Sequence, residues 1–313
     1  MKQEIELLLI SPRGFCAGVV RAIDTVKRSL ELWGPPIYVK HQIVHNSHVV
    51  AELAAKGAIF IDDVEDVPPG SRLIYSAHGV SPAIRALAKK RKLIEIDATC
   101  GLVTKVHSAV KRFASKGYQI VLIGHRRHVE VIGTAGEAPA ATTVVESVTD
   151  VEKLSFCPNQ QLFYTTQTTL SLDDVKEVVA ALKVKYPEIK TLPSSSICYA
   201  TTNRQLALKQ VAKRADLVLV VGDQTSSNSN RLCEVARGQG VPAYLINNPA
   251  EINPNWLKPI RVLALTAGAS TPESVVQRCI ARLCQLGASQ PEEVVCREEN
   301  VFFKLPREVL VER

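Results

Sequence analysis

Three cysteines share a local context that favours chemistry at sulfur. Cys16, Cys100 and Cys198 each stand where a strand-like run or a loop gives way to a helical pattern, in the segments SPRGFCAG, DATCGLV and SICYATTN. The unpaired N–H groups and the dipole at a helix start favour a thiolate, which is the form that binds metal. The spacings of 84 and 98 residues predict three similar domains, each contributing one cysteine to a shared centre.

The other five cysteines carry weaker signals. Cys233, Cys279 and Cys284 lie among apolar residues on predicted helices, as small buried hydrophobic residues do. Cys157 precedes a proline in a loop, Cys296 lies near the C-terminus, and no helix start follows either of them.

The residues alone leave the metal open. Three cysteines and one histidine suit structural zinc, but such sites usually bring their ligands in close pairs, which this sequence lacks. A cluster held by three thiolates would leave one iron open to a substrate oxygen, as a catalytic site requires.

The elements that must position these cysteines alternate between short β-branched runs and helical patterns. Such alternation predicts an α/β fold with small, mostly parallel sheets, and the strands lack polar alternation because helices cover both faces. The predicted strands are residues 5–10, 37–40, 72–76, 93–96, 120–123, 162–165, 217–221, 243–246 and 262–265. We expect a first domain over 1–98, a second over 99–194, a third over 195–286 and a tail over 287–313 that packs back on the body.

Polar side chains follow six of the predicted strands, at the edge where open parallel sheets bind ligands. Three histidines with several Ser, Thr and Asn residues, many at helix starts, are typical of a diphosphate site. The sequence has no phosphate-binding loop of the nucleotide triphosphate type and no clear dinucleotide-binding turn. The segments are His45-Asn46, Ser76–Gly79, Gly124–Glu130, Thr166–Thr168, Ser226–Asn228 and Thr266–Ser270.

Composition narrows the classes of partner. The net charge of +7 is spread along the chain, only Lys89–Lys92 forms a basic run, and aromatic residues are 5% of the total, so nucleic acid is not expected. No apolar stretch approaches a membrane span, and the first residues lack the features of a signal peptide. We therefore expect a cytoplasmic protein whose eight cysteines stay reduced.

Ten motifs in order resemble the 4-hydroxy-3-methylbut-2-enyl diphosphate reductase family. The likeness runs from about Pro12 to the tail, which makes a chance match improbable. The motifs are PRGFCAGV at 12–19, HQIVHN at 41–46, SAHGVSP at 76–82, DATC at 97–100, GHxxHxExxGT at 124–134, TQTTLS at 166–171, ICYATTNRQ at 197–205, SSNSNRL at 226–232, TAGAS at 266–270 and REEN at 297–300.

The resemblance implies a trefoil of three α/β domains around one [4Fe–4S] cluster held by Cys16, Cys100 and Cys198. Glu130 matches the catalytic acid, and Thr168 matches its partner near the substrate hydroxyl. The positions that match the family's diphosphate-binding residues, with Ser227 beside them, are His45, His78, His128, Ser226, Asn228 and Ser270.

The implied reaction removes the substrate hydroxyl as water with two electrons and two protons, and gives isopentenyl and dimethylallyl diphosphates. It is the last step of the non-mevalonate isoprenoid route. A separate carrier, ferredoxin or flavodoxin, would supply the electrons. Two positions depart from the family pattern, because Gly101 and Val129 stand where proline is usual. The alternatives are a non-catalytic iron–sulfur sensor, a divergent paralogue with altered activity and a zinc-dependent hydrolase.

Overall fold

The fold is described from a computed structural model that covers residues 4–194 and 196–310. Twelve strands lie in this part of the chain: β1 Glu6–Ser11, β2 Ile37–Lys40, β3 Ala58–Ile61, β4 Arg72–Tyr75, β5 Ile94–Asp97, β6 Gln119–Ile123, β7 Thr142–Val145, β8 Leu162–Thr166, β9 Leu217–Val221, β10 Ala243–Ile246, β11 Val262–Ala267 and β12 Glu292–Val295. Ten α-helices accompany them: α1 Ala17–Trp33, α2 Ser47–Ala55, α3 Pro82–Lys90, α4 Gly101–Ala114, α5 Val129–Ala135, α6 Val148–Lys153, α7 Leu172–Lys185, α8 Tyr199–Ala212, α9 Ser227–Gly238 and α10 Glu273–Gln285.

The chain divides into two compact units. The first unit comprises Met1–Ala17, His45–Val49 and Tyr199–Phe302. It contains one five-stranded parallel sheet in the order β10-β9-β11-β1-β12. The second unit comprises Gly18–Val44, Val50–Cys198 and Phe303–Arg313. It contains a four-stranded sheet in the order β3-β2-β4-β5 and a three-stranded sheet in the order β7-β6-β8, both parallel.

The central strands of the first unit are apolar on both faces because helices cover both. Leu217, Leu219 and Val221 of β9 pack in one hydrophobic core with α10, whereas Val218 and Val220 pack in another with α8 and α9. Successive strand residues point to opposite faces, so a strand buried on both sides reads as a continuous apolar run. The second unit repeats this arrangement, with β6 and β8 contributing to a core that includes α7 and to a core that includes α4.

The predicted α/β class with small parallel sheets is confirmed. All nine predicted strands are present, and β3, β7 and β12 are strands that we did not predict. Ser171 caps α7, because its hydroxyl accepts the N–H of Asp174, whereas Ser81 stands at the N-cap of α3 without a side-chain cap bond.

The division into domains at residues 98, 194 and 286 stays a prediction. β1 pairs with β11 and β12, so it belongs to the sheet that carries β9 and β10. The ends of the predicted first domain and tail, residues 1–3 and 311–313, lie outside the described residues, as does residue 195 at the start of the predicted third domain. No helix in the described ranges is long and apolar enough to cross a bilayer.

Candidate active site

Cys16, Cys100 and Cys198 stand at helix starts, as the sequence indicates. Cys100 is the N-cap residue of α4, and the other two immediately precede α1 and α8. Each cysteine donates its backbone N–H to a carbonyl that lies two residues beyond the end of a strand, β11, β4 or β8. The same anchoring contact therefore fixes all three: Cys16 to Ala269 at 3.2 Å, Cys100 to Ala77 at 3.0 Å and Cys198 to Thr168 at 3.0 Å.

These three thiols differ from the buried cysteines in environment. Each is partly exposed, whereas Cys233 and Cys279 are buried among apolar side chains. Burial raises the pKa of both buried thiols to about 12, so neither offers a thiolate near neutral pH. All eight cysteines lie in the described ranges, and none forms a disulfide.

The donor set at the three junctions suits an iron–sulfur cluster, because partly exposed thiolates at helix starts are its usual protein ligands. Cys16 belongs to the first unit, and Cys100 and Cys198 belong to the second. Among residues 4–194 and 196–310, no group of three or more His, Cys, Asp or Glu side chains is placed to hold a metal ion. The ligand set and the cluster therefore stay predictions.

Glu130 is the buried acid of the second unit. It lies in the first turn of α5, and its side chain is only 3% exposed. Thr168 donates twice to the carboxyl group, from its backbone N–H to Oε1 at 2.6 Å and from its hydroxyl to Oε2 at 2.9 Å. Burial raises the pKa of Glu130, and the two bonds from Thr168 and the charge of His107 oppose that rise only in part. Glu130 can therefore hold a proton above the pH at which an exposed glutamate loses it.

Two of the predicted substrate-binding histidines lie near this acid. His128 caps α5, and its Nδ1 accepts the backbone N–H of Glu130 at 3.2 Å. In the neutral ring the proton is then on Nε2, which is a donor suited to a phosphate oxygen. His78 follows β4, its Nδ1 is 3.2 Å from the hydroxyl of Ser76, and its ring meets that of His128 edge to face at 6.0 Å.

The remaining predicted substrate-binding residues belong to the first unit, and hydrogen bonds hold several of them in place. The hydroxyl of Ser270 donates to the carbonyl of His45 at 2.8 Å. The side chain of Asn228 accepts the N–H of Ala269, next to Ser270, at 2.9 Å. Ser226 is the N-cap residue of α9, and Ser227 and Asn228 are the first two residues of that helix. The structure thus brings His45, Ser226, Ser227, Asn228 and Ser270 together at the carboxyl ends of β9 and β11.

Asp223 is a contributor to this group that the sequence reasoning missed. Its carboxylate accepts the N–H and hydroxyl of Thr225 at 2.9 and 2.7 Å, and the N–H of Ser47 at 3.0 Å. Burial alone would raise the pKa of Asp223, but these hydrogen bonds lower it to about 2. A permanent carboxylate therefore ties the loop before Ser226 to the start of α2, two residues after His45.

His107 is the second residue that the sequence reasoning missed. It lies on α4, is buried, and its Nδ1 is 2.9 Å from Oε1 of Glu137. A signal was present, because seven residues are about two helical turns and place His107 on the same face of α4 as Cys100.

Comparison with known proteins shows which relatives this chain resembles. The family model described as LytB protein matches residues 7–284. The 4-hydroxy-3-methylbut-2-enyl diphosphate reductase of Protochlamydia amoebophila (strain UWE25) is 66% identical over 306 residues, 98% of each chain. The enzyme of the same name from Chlamydia pneumoniae is 62% identical over 305 residues, 97% of this chain and 98% of that one.

Two solved structures are also similar. The E-1-hydroxy-2-methyl-but-2-enyl-4-diphosphate reductase of Plasmodium falciparum superposes with a TM-score of 0.95 at 51% identity, over 98% of this chain and 97% of that one. An (E)-4-hydroxy-3-methyl-but-2-enyl diphosphate reductase, described as the terminal enzyme of the non-mevalonate pathway, gives a TM-score of 0.63 at 31% identity, over 90% of this chain and 99% of that one.

Proposed function

Because the chain belongs to the LytB protein family of 4-hydroxy-3-methylbut-2-enyl diphosphate reductases, we propose that it performs the reaction for which these relatives are named. The substrate hydroxyl leaves as water, two electrons and two protons are consumed, and the products are isopentenyl and dimethylallyl diphosphates. This is the last step of the non-mevalonate isoprenoid pathway, for which a solved relative is described as the terminal enzyme.

The observation that carries the proposal is the environment of Glu130. An alcohol leaves readily only when its oxygen is protonated, so the reaction needs an acid that still holds its proton at neutral pH. Glu130 is buried, its pKa is raised, and its carboxyl group is fixed in place by two bonds from Thr168. An iron–sulfur sensor would have no use for such an acid.

We assign the [4Fe–4S] cluster to Cys16, Cys100 and Cys198, whose shared helix-start environment supports this choice. When bound, the cluster would pass electrons on to the substrate and offer an open iron that polarises the substrate hydroxyl. Thr168 then has two tasks, because its hydroxyl bonds Glu130 while its backbone carbonyl accepts the N–H of Cys198. Thr168 therefore fixes the position of Glu130 relative to Cys198, one of the proposed cluster ligands.

We assign the diphosphate to the three histidines and to the polar residues of the first unit. Imidazole N–H groups, serine hydroxyls and an asparagine amide are donors that match phosphate oxygens. In this assignment the carbon chain is oriented by the fixed diphosphate, so that its hydroxyl meets Glu130. The residues are His45, His78, His128, Ser226, Ser227, Asn228 and Ser270.

Two further parts of the proposal come from the sequence alone. The electrons come from a separate protein carrier, ferredoxin or flavodoxin. A cytoplasmic location is predicted as well.

Anaerobic purification followed by iron and sulfide analysis, visible spectroscopy and turnover of the diphosphate substrate tests the proposal. We expect a brown protein that forms both products, and a Glu130→Gln variant that keeps its cluster and binds substrate but loses turnover. Replacing Cys16, Cys100 or Cys198 by Ser should lower the iron content, whereas the matched change Cys157→Ser should not. A colourless zinc protein, or full turnover by Glu130→Gln, would contradict the assignment.

A further inference from the structure

His107 and Glu137 form a largely buried ionisable pair in the same unit as Glu130, the proposed acid. Their side chains are only 8% and 12% exposed, and His107 Nδ1 lies 2.9 Å from Glu137 Oε1. The carboxylate fixes the ring and favours the tautomer with its proton on Nδ1. Nε2 is buried and has no hydrogen-bond partner within residues 4–194 and 196–310, so it is left as an acceptor that can take a second proton. The ring can then carry a positive charge that Glu137 balances.

The ring of His107 packs against two elements that carry proposed active-site residues. A Cβ atom on Gly79 would lie 2.9 Å from Cε1 of His107, which is closer than real contacts allow, and Gly79 has a φ of +76°. A Cβ atom on Gly133 would lie 3.4 Å from the carbonyl oxygen of Gly79 and 3.5 Å from the same Cε1 atom of His107. Gly79 follows His78, and Gly133 lies on α5 three residues after Glu130. The His78 loop and the helix of Glu130 therefore contact each other directly, and the ring of His107 packs against both.

The same ring acts electrostatically on Glu130. A positive charge on His107 favours the ionised form of Glu130, and so opposes the rise of its pKa that burial causes. Arg85 on α3 is also within electrostatic range of the pair, because Glu137 contributes to the raised pKa of Arg85. Among residues 4–194 and 196–310, two charged side chains thus interact with the pair: Glu130 from α5 with His107, and Arg85 from α3 with Glu137. His128 contacts Glu130, and His78 contacts His128, one step further out.

We propose that His107, held by Glu137, is a positioning residue for the reduction, and that its charge sets the pH range over which Glu130 keeps its proton. The proposal rests on the role of Glu130 in the proposed function. The effect of His107 on the protonation of the Glu130 carboxyl can also be measured directly, without turnover.

The test compares His107→Gln and Glu137→Gln, which keep polar side chains of similar length but cannot form the charged pair. Two quantities are followed against pH in the cluster-loaded protein: kcat/KM for the diphosphate substrate, and the infrared band of the protonated Glu130 carboxyl, identified by its loss in Glu130→Gln. Glu95→Gln is the matched control. It is a partly buried glutamate of the same unit that accepts one side-chain bond, from Tyr75 at 2.6 Å.

In His107→Gln, Glu130 loses a positive neighbour and keeps its proton to higher pH. The alkaline limb of kcat/KM and the carboxyl titration should both move up by roughly 1–2 pH units, because at an effective dielectric of about 20 a charge ~6–12 Å away is worth about 1.4–2.8 kcal/mol. Glu137→Gln should move them in the same direction by less, because the His107 ring stays in place but loses the carboxylate that holds it and balances its charge. Glu95→Gln should leave both at the wild-type position.

A loss of melting temperature in both variants with neither titration moved would mean that the pair is merely structural, and would overturn the proposal. A carboxyl titration that moves in only one of the two variants, or moves down, would also overturn it. If one variant fails to fold, the other decides by the same criterion. If the wild-type protein does not turn over the substrate, the proposed function fails, while the infrared titration still decides the effect of His107 on Glu130.

Discussion

Replacing Thr168 by valine removes one hydrogen bond from Glu130 and changes little else. The hydroxyl donates to Oε2 at 2.9 Å, while the backbone N–H, which donates to Oε1 at 2.6 Å, stays in place. Valine has nearly the same shape, so packing is retained. A hydrogen bond to a charged group contributes about 1.5–3 kcal/mol, and about 1.4 kcal/mol corresponds to one pKa unit. Because the bond favours the carboxylate, its loss should raise the pKa of Glu130 by about 1–2 units.

The assay is the infrared titration of the Glu130 carboxyl in the substrate-free protein, followed by the pH dependence of kcat. Glu130 acts as an acid, so activity falls as pH rises through its pKa. The alkaline limb should therefore move to higher pH in Thr168→Val, while kcat at neutral pH falls because the acid is less well fixed. A measurement without substrate separates this effect from any contact that Thr168 makes with the substrate.

Two matched variants show whether the hydroxyl is the cause. Thr168→Ser keeps the hydroxyl and should titrate like the wild type. Thr166→Val removes a buried threonine hydroxyl at the end of β8, two residues before Thr168, and should also leave Glu130 unchanged. This hydroxyl has no hydrogen-bond partner among the described residues. A carboxyl titration in Thr168→Val that coincides with the wild type would refute the reasoning, since the bond could not then hold the ionised form.

Three further predictions test other parts of the account. Burial raises the pKa of Glu130 in the folded protein, so its stabilising effect is complete below the pKa of an unfolded glutamate, where the group is protonated in the folded and the unfolded state. That effect is lost as pH rises through the pKa of the folded state. Over this pH range the melting temperature of Glu130→Gln should rise relative to that of the wild type. Single alanine variants of His45, His78 and His128 should each bind substrate more weakly and keep an intact cluster spectrum. Unchanged substrate affinity in all three variants would contradict the diphosphate assignment. Gly101→Pro should raise the free energy of unfolding by about 0.4–1 kcal/mol, measured by chemical denaturation. Cys100 has φ −57° and ψ 134°, as a residue before proline requires, and a Cβ atom at Gly101 meets only the ring of Phe303, at 3.7 Å. A loss of stability would show that the local backbone does not accept proline.

Much of the fold could be predicted because its central strands are buried on both faces. A run such as Leu217–Val221 is apolar throughout, and its bounds agree with the structure. β12 was missed because three of its four residues are exposed and it begins with two glutamates. It is a strand only because it pairs with β1, with Leu8 opposite Glu292. A contact across more than 280 residues leaves no local pattern in either segment.

The candidate site divides in the same way. Residues at helix starts could be predicted, since Cys100, His128 and Ser226 are all N-cap residues and local spacing indicates them. Asp223 could not, because its role lies in contacts made by the folded chain. For His107 the spacing from Cys100 indicates the helix face, but not the contact with Glu137. Asp223 bonds the N–H of Ser47, 176 residues away.

Glu130 shows why a motif and its chemistry are different findings. The motif places a glutamate two residues after His128, but an exposed glutamate there would be ionised at neutral pH and could donate no proton. The raised pKa comes from burial under the surrounding elements, and its extent is limited by Thr168 and His107, 38 and 23 residues away along the chain. The three influences have opposite signs, so the protonation state of Glu130 is a balance between them. A change at either neighbour should then alter the pH range of the reaction without removing the acid.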